Sequence, residues 1–160
     1  PSGQAPTLLR ASSQSAQLLL SGQIAFTLNR QHRTWPLAFT WQGDMLVVTC
    51  KDATYKIPHS IVENGRSFCW GIPADGATYE AKGTFAFISC KALSDLQERG
   101  FFVYDGITWR KIGSGNPIHV RADIDRTEMW ISLNDGLPLV VEMRNNPLGI
   151  DWRVATDTSF

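Results

Sequence analysis

The sequence predicts a mainly β protein, a curled antiparallel half-barrel of about ten or eleven strands with an N-terminal helix and a short middle helix. Three observations predict it. From Gln23 almost to the end, apolar residues recur with period two, the spacing that puts alternate side chains on one face of a strand. Turn chemistry punctuates these runs, with Asp-Gly at 75/76, 105/106 and 135/136 and Gln42-Gly43-Asp44 earlier. Helical patterning is confined to two places, so successive hairpins must pair with one another. A two-sheet sandwich competes for the same pattern.

In chain order, residues 6–20 read as the long helix. Thr7 can cap it, Leu9, Ala16 and Leu19 or Leu20 recur near helical spacing, and Ser21-Gly22 can stop it. Ile24, Phe26 and Leu28 then alternate with Gln23, Ala25 and Thr27 as the first strand. A loop at 29–34 leads into WPLAFTW, where an extended backbone puts Trp35, Leu37, Phe39 and Trp41 on one face and only Pro36, Ala38 and Thr40 on the other. Residues 45–50 form a compact apolar strand, and 54–57 follow after Lys51-Asp52. Residues 58–65 are looser, 67–72 return to strand, and 77–90 read as one long strand bent at Gly83 or two short ones. Residues 92–99 form the short helix, with Ser94 as cap and Gly100 at its C-terminal end. Strands over 101–104, 107–112, 118–124, 129–133, 137–143 and 148–154 complete a single β-rich domain spanning 1–160, with its sheet over about 23–154.

The composition suits one packed domain: of 160 residues, 43% are hydrophobic and 19% charged. Fifteen basic residues balance fifteen acidic ones, so no net field draws the chain to nucleic acid or to an anionic membrane. Arg30, His32 and Arg33 form a local basic group that reads as a solvated hairpin loop or a phosphate site; the lack of interleaved aromatics favours the loop. No run approaches the roughly 18 apolar residues of a membrane span. The opening PSGQAPT fits a removed signal sequence and hence export.

Catalytic and metal-binding signals are poor. His32, His59 and His119 are scattered, and no HExxH, CxxC, GxSxG, Walker or GxGxxG motif occurs, so neither metal, cofactor nor enzyme activity is expected. Asp123 and Asp125 point to one face of a strand with Glu128 just beyond, a pairing that could serve glycoside hydrolysis. Arg121 and Arg126 interleave with them, which favours a solvated face with cross-strand charge pairs. The Asp-Gly pairs recur every thirty residues, read either as coincident turns or as a repeat. Cys50 and Cys90 each end a strand-like run and are the candidate disulfide in an oxidising compartment; three buried thiols, Cys69 included, are the alternative.

The distinctive feature is aromatic strand content, six tryptophans and eight phenylalanines. If the sheet half closes, Phe26, Trp35, Leu37, Phe39, Trp41, Met45 and Val47 can line a concave apolar cavity able to hold an acyl chain, or simply form core. In a sandwich, Trp70, Trp109, Trp130 and Trp152 would instead be candidates for a platform that binds carbohydrate or protein. A structural β domain of a secretion or phage assembly is a third reading.

LLLSGQIAFTL, a short basic loop, PLAFTWQGDMLVV and the closing DGLPLVVEMRNNPLGIDWRV together resemble the bacterial lipoprotein-localisation carrier and receptor (LolA/LolB-like) superfamily, over about the first 50 and last 35 residues. The resemblance implies an eleven-stranded, half-open antiparallel barrel closed by helices. Its apolar cavity would receive a lipid or lipoprotein acyl chain, without catalysis or cofactor. It further implies the bacterial periplasm or the periplasmic face of the outer membrane, with peripheral membrane association and a protein partner.

Overall fold

The computed structural model describes residues 16–28, 30–69, 76–134, 136–147 and 150–157. Eleven strands form one open sheet: β1 Ala16–Leu28, β2 Gln31–Gln42, β3 Met45–Cys50, β4 Ala53–Pro58, β5 Thr78–Glu80, β6 Phe101–Tyr104, β7 Ile107–Lys111, β8 Ile118–Ala122, β9 Glu128–Asn134, β10 Leu137–Arg144 and β11 Asp151–Thr156. Their order across the sheet is β5-β4-β3-β2-β1-β11-β10-β9-β8-β7-β6. Every pairing is antiparallel except β4 with β5. Two short helices, α1 His59–Asn64 and α2 Cys90–Arg99, lie between the two halves of the sheet in sequence.

The chain therefore enters and leaves at the middle of the sheet. β1 pairs with β11 from Gly22 opposite Thr156 to Thr27 opposite Asp151. From this seam the chain walks outward through hairpins to β4, crosses between the edges through α1, β5 and α2, and walks back inward from β6. Alternation buries one face of each long strand: Phe39, Leu46, Val48 and Ile57 have no accessible surface, and Leu37 and Trp41 are at most 2% exposed. One cross-strand row runs Leu20, Phe39, Val48, Tyr55, Tyr79 over five strands.

The buried face is covered by α1, α2 and the irregular segment 81–89. Phe87 and Ile88 are fully buried, and Phe87 meets Phe39 edge to face at 6.1 Å. Backbone bonds tie the cover to β10, where Ile88 N–H donates to Pro138 O and Val140 N–H to Ala86 O. This segment corrects the strand expected over 77–90. Only Thr78–Glu80 is strand, and Ala86 adopts a positive φ of 60°. Buried residues run without alternation from Gly83 to Ser89, because the segment is enclosed by sheet and helices rather than lying in a ladder.

Other expectations change as well. Of the helix expected over 6–20, residues 6–15 lie outside the described residues, and Ala16–Leu20 are the start of β1. Twelve residues of β2 need a partner for their backbone groups, and β1 supplies it. A bulge between Leu18 and Leu20 leaves Leu18 exposed and Leu20 buried, breaking the period-two signal there. Of the strand expected over 67–72, the described part makes only an isolated bridge from Phe68 to Thr84. The looser 58–65 contains α1, and the second helix begins at Cys90, with Ser89 rather than Ser94 as its cap: the Ser89 hydroxyl accepts the Ala92 N–H at 3.2 Å. Asp105 and Gly106 both take positive φ in the β6–β7 turn, whereas Gly76 leads into a parallel strand, so the Asp-Gly pairs do not open equivalent units.

The expected Cys50–Cys90 bridge is not formed. All three cysteines are free thiols: Cys50 packs into the core opposite Leu37, while Cys90 starts α2 instead of ending a strand.

Gly22 sits where β1 and β11 approach most tightly. A Cβ there would lie 2.0 Å from Ala155 O and 2.8 Å from the Thr156 Cα, both backbone atoms. Gly22→Ala is accordingly expected to destabilise the fold by about 1–3 kcal/mol. Gly115→Ala, whose Cβ meets nothing closer than 3.7 Å, should leave the thermal midpoint unchanged. Circular-dichroism melts of the two variants check the contrast, and equal midpoints would remove the steric argument.

Candidate functional site

Phe26, Trp35, Leu37, Phe39 and Trp41 do share the concave face. Met45 and Val47 do not. The two-residue turn Gly43-Asp44 pairs Gln42 with Met45 and Thr40 with Val47, so both take the outer side, and β3 turns Leu46, Val48 and Cys50 inward. The turn QGD carried that information, because the residues flanking a two-residue hairpin must share a face. The cover residues Phe85, Phe87 and Ile88 were invisible to strand patterning, since nothing in their alternation distinguishes a plug from a strand.

Around Phe39, Val48 and Phe87 the described part of the concave face is filled. A side chain with no accessible surface faces neither bulk water nor a void that would admit water, and this holds for Phe39 and Val48 on the sheet and Phe87 on the cover. Two margins are less tightly closed. At one, Trp35 is half-buried, meets Phe26 edge to face at 4.9 Å and carries the Lys51 ammonium 5.2 Å above its ring. At the other, a cavity of about 140 Å³ lies between Leu93 of α2 and Ile118, Ile131 and Leu133 of β8 and β9, with Asn116 and Ser132 on its wall. That is below the roughly 300–1,000 Å³ of ligand pockets.

A larger cleft, about 410 Å³, lies along the seam between β2, β1, β11 and β10, with Phe26 and Trp152 at its floor. Its walls include His32, Arg33, Arg144, Arg153, Glu142 and Asp151. Its size fits a ligand, but its groups already serve each other. The Glu142 carboxylate accepts from Arg144 and Arg153, and Asp151 accepts the backbone N–H groups of Asn145 and Asn146. His32 Nδ1 lies 2.9 Å from the Thr27 hydroxyl, and Arg33 donates to the Gln31 side chain, so the basic group of the β1–β2 hairpin is engaged locally. We therefore take the apolar concave face, not this cleft, as the candidate site.

The other sequence candidates do not converge. Asp123 forms a two-oxygen ion pair with Arg110 at 2.9 Å, while Asp125 accepts the Thr127 N–H in a turn. Glu128 holds His119 at 2.7 Å and lies 3.7 Å from Arg121. Trp109 and Trp152 are buried, and Trp70 lies outside the described residues. Trp130 is half-buried, with His119 stacked on its ring at 4.3 Å and the Arg144 guanidinium 5.0 Å from its centre. Among the described residues, no group of three His, Cys, Asp or Glu could hold a metal ion, and no helix is long and apolar enough to cross a membrane.

The cover is pinned by Tyr104 of β6. Its hydroxyl accepts the Ser89 N–H at 3.0 Å and lies 2.8 Å from the Thr84 hydroxyl, inside a fully buried network. Burial pushes the Tyr104 ionisation up to about 12 although both partners favour the anion, and it pushes the Cys50 thiol up to about 12. Burial also raises Tyr55, with the neighbouring Tyr79, Cys50 and Cys69 adding to it. These groups stay neutral when folded, whereas their unfolded counterparts ionise at the ordinary values of 9.0 for Cys and 10.0 for Tyr. Their contribution to stability is complete below pH 9 and is lost as pH rises through 12. Urea midpoints should thus fall steadily between about pH 9 and pH 12; a flat profile would contradict neutral burial of these groups.

Comparison of the chain with protein-family models, curated proteins and solved structures finds no match.

Proposed function

We propose that the protein is a non-catalytic binder of a lipid or lipoprotein acyl chain, working in the bacterial periplasm or on the periplasmic face of the outer membrane. The observation that carries the reading is a continuous apolar concave face spanning an open eleven-stranded sheet, closed by short elements rather than by a second sheet. The resemblance of the chain's opening and closing segments to lipoprotein-localisation proteins supports the same choice of ligand and compartment.

Because this part of the face is filled, an acyl chain must displace part of the cover. Turning the side chains of Phe85, Phe87 and Ile88 aside, with the backbone of 84–89 kept on its hydrogen bonds, costs about 5–9 kcal/mol at 1.5–3 kcal/mol per side chain. A buried methylene returns about 0.8 kcal/mol, so roughly six to eleven methylenes are needed to break even. Short chains should fail and long ones should succeed. Loops and helices at the margins would then set access, while binding itself follows chain length.

Delipidated protein titrated with fluorescent acyl probes should bind one long chain of about sixteen carbons saturably, and chains of about six carbons hardly at all. Phe87→Ala should cost about 3–5 kcal/mol of folding stability while tightening acyl binding, because the cavity it leaves beside Phe39 no longer has to be emptied. Absence of saturable long-chain binding in both proteins would overturn the reading.

A further inference from the structure

Three buried tryptophans differ in how their indole N–H groups are satisfied. Trp109 Nε1 donates to Tyr104 O at 3.4 Å and Trp152 Nε1 to Val140 O at 3.0 Å. Trp41 is 1% exposed, and its buried Nε1–H has no hydrogen-bond acceptor among the described residues. A buried donor in that condition is destabilising, and native structures rarely tolerate it without a bound water or ligand to complete it. Beside it stands α1. The His59 ring lies 5.7 Å from that of Trp41, and His59 Nε2 lies 3.7 Å from Glu63 Oε2, a buried oxygen that makes no hydrogen bond. Polar groups thus gather at one place on an otherwise apolar face, where α1 presents His59 and Glu63 beside Trp41.

We propose that Trp41 and Glu63, with His59 between them, form the polar end of the acyl site and receive the neutral head of an acyl ester. The Trp41 N–H donates to the ester carbonyl, and Glu63 accepts from a hydroxyl or amide N–H beside it. A free fatty acid fits less well, because its carboxylate would be brought close to that of Glu63 in a poorly solvated space. The assignment rests on the acyl-binding reading and deepens it: chain length supplies affinity, and the Trp41 end selects the head.

The test compares hexadecanoyl glycerol with its hexadecyl ether analogue and with free hexadecanoate at pH 8, each competing against a fluorescent acyl probe. The native protein should prefer the ester to the ether by about five- to tenfold, the worth of one good hydrogen bond. Trp41→Phe should bind ester and ether equally, at the native protein's affinity for the ether. Glu63→Gln should gain affinity for hexadecanoate. Should Trp41→Phe fail to fold, the Trp41 indole ¹⁵N–¹H resonance of the native protein must shift on adding ester and not on adding ether. Equal affinity for ester and ether in the native protein, or a preference that survives in Trp41→Phe, overturns this assignment alone and leaves the N–H to a bound water. No binding of any probe overturns the acyl reading itself.

Discussion

The seam between β1 and β11 is the constraint on which the other features depend. Once the first and last described strands pair at the centre of the sheet, the two edges belong to β5 and β6, and the intervening chain must travel from one to the other. That path lies over the apolar face. Residues 81–89 and α2 therefore cover it, joined by α1 from the β4–β5 crossover, and the sheet needs no second sheet to exclude water. Both edges are also short, three residues in β5 and four in β6, which limits the open ladder available to another chain. Gly22 is a condition for the seam, since the Ala155 carbonyl occupies the place a side chain would need.

How much of this was legible follows from which signals are local. Period-two alternation located most strands, and the Asp-Gly turn at 105/106 was readable because both residues tolerate positive φ. Local patterning failed where tertiary surroundings decide. Leu18 to Leu20 looked helical because a bulge interrupts the alternation, and 77–90 looked like strand because a plug enclosed on all sides is apolar without a period. Met45 and Val47 were assigned to the wrong face by treating apolar character as orientation, when the turn before them fixes register. The candidate site was half legible for the same reason: its β2 wall is a regular strand, whereas its cover comes from residues distant in sequence.

A filled core and a ligand site are here alternative uses of one surface. Phe39 gains the same kind of contact from the Phe87 ring as it would from methylenes, so the choice between them is one of total area and ordering cost. The hydrophobic effect is non-directional and supplies affinity without selectivity. Selectivity must come from polar atoms, and on the concave face these are few. The cleft along the seam has many, but Glu142, Arg144 and Arg153 neutralise one another there, and Asp151 is committed to a turn.

The polar atoms under the cover are distributed unevenly, and this sets where displacement costs least. On the β6 side, Tyr104 satisfies Thr84 and Ser89, and the bonds to Pro138 and Val140 hold the following residues to β10; moving 84–89 would leave several buried groups unpaired at once. On the opposite side, α1 is six residues long, has no side-chain cap, and stands beside an indole N–H that already lacks an acceptor among the described residues. Loosening α1 while His59 and Glu63 still face Trp41 costs part of the burial of Val62 and strains the bond from the His59 N–H to Asp44 O, but it breaks no hydrogen bond to Trp41. An acyl chain arriving from that side would meet apolar surface and an unused donor together, whereas from the β6 side it would first have to dismantle a completed network.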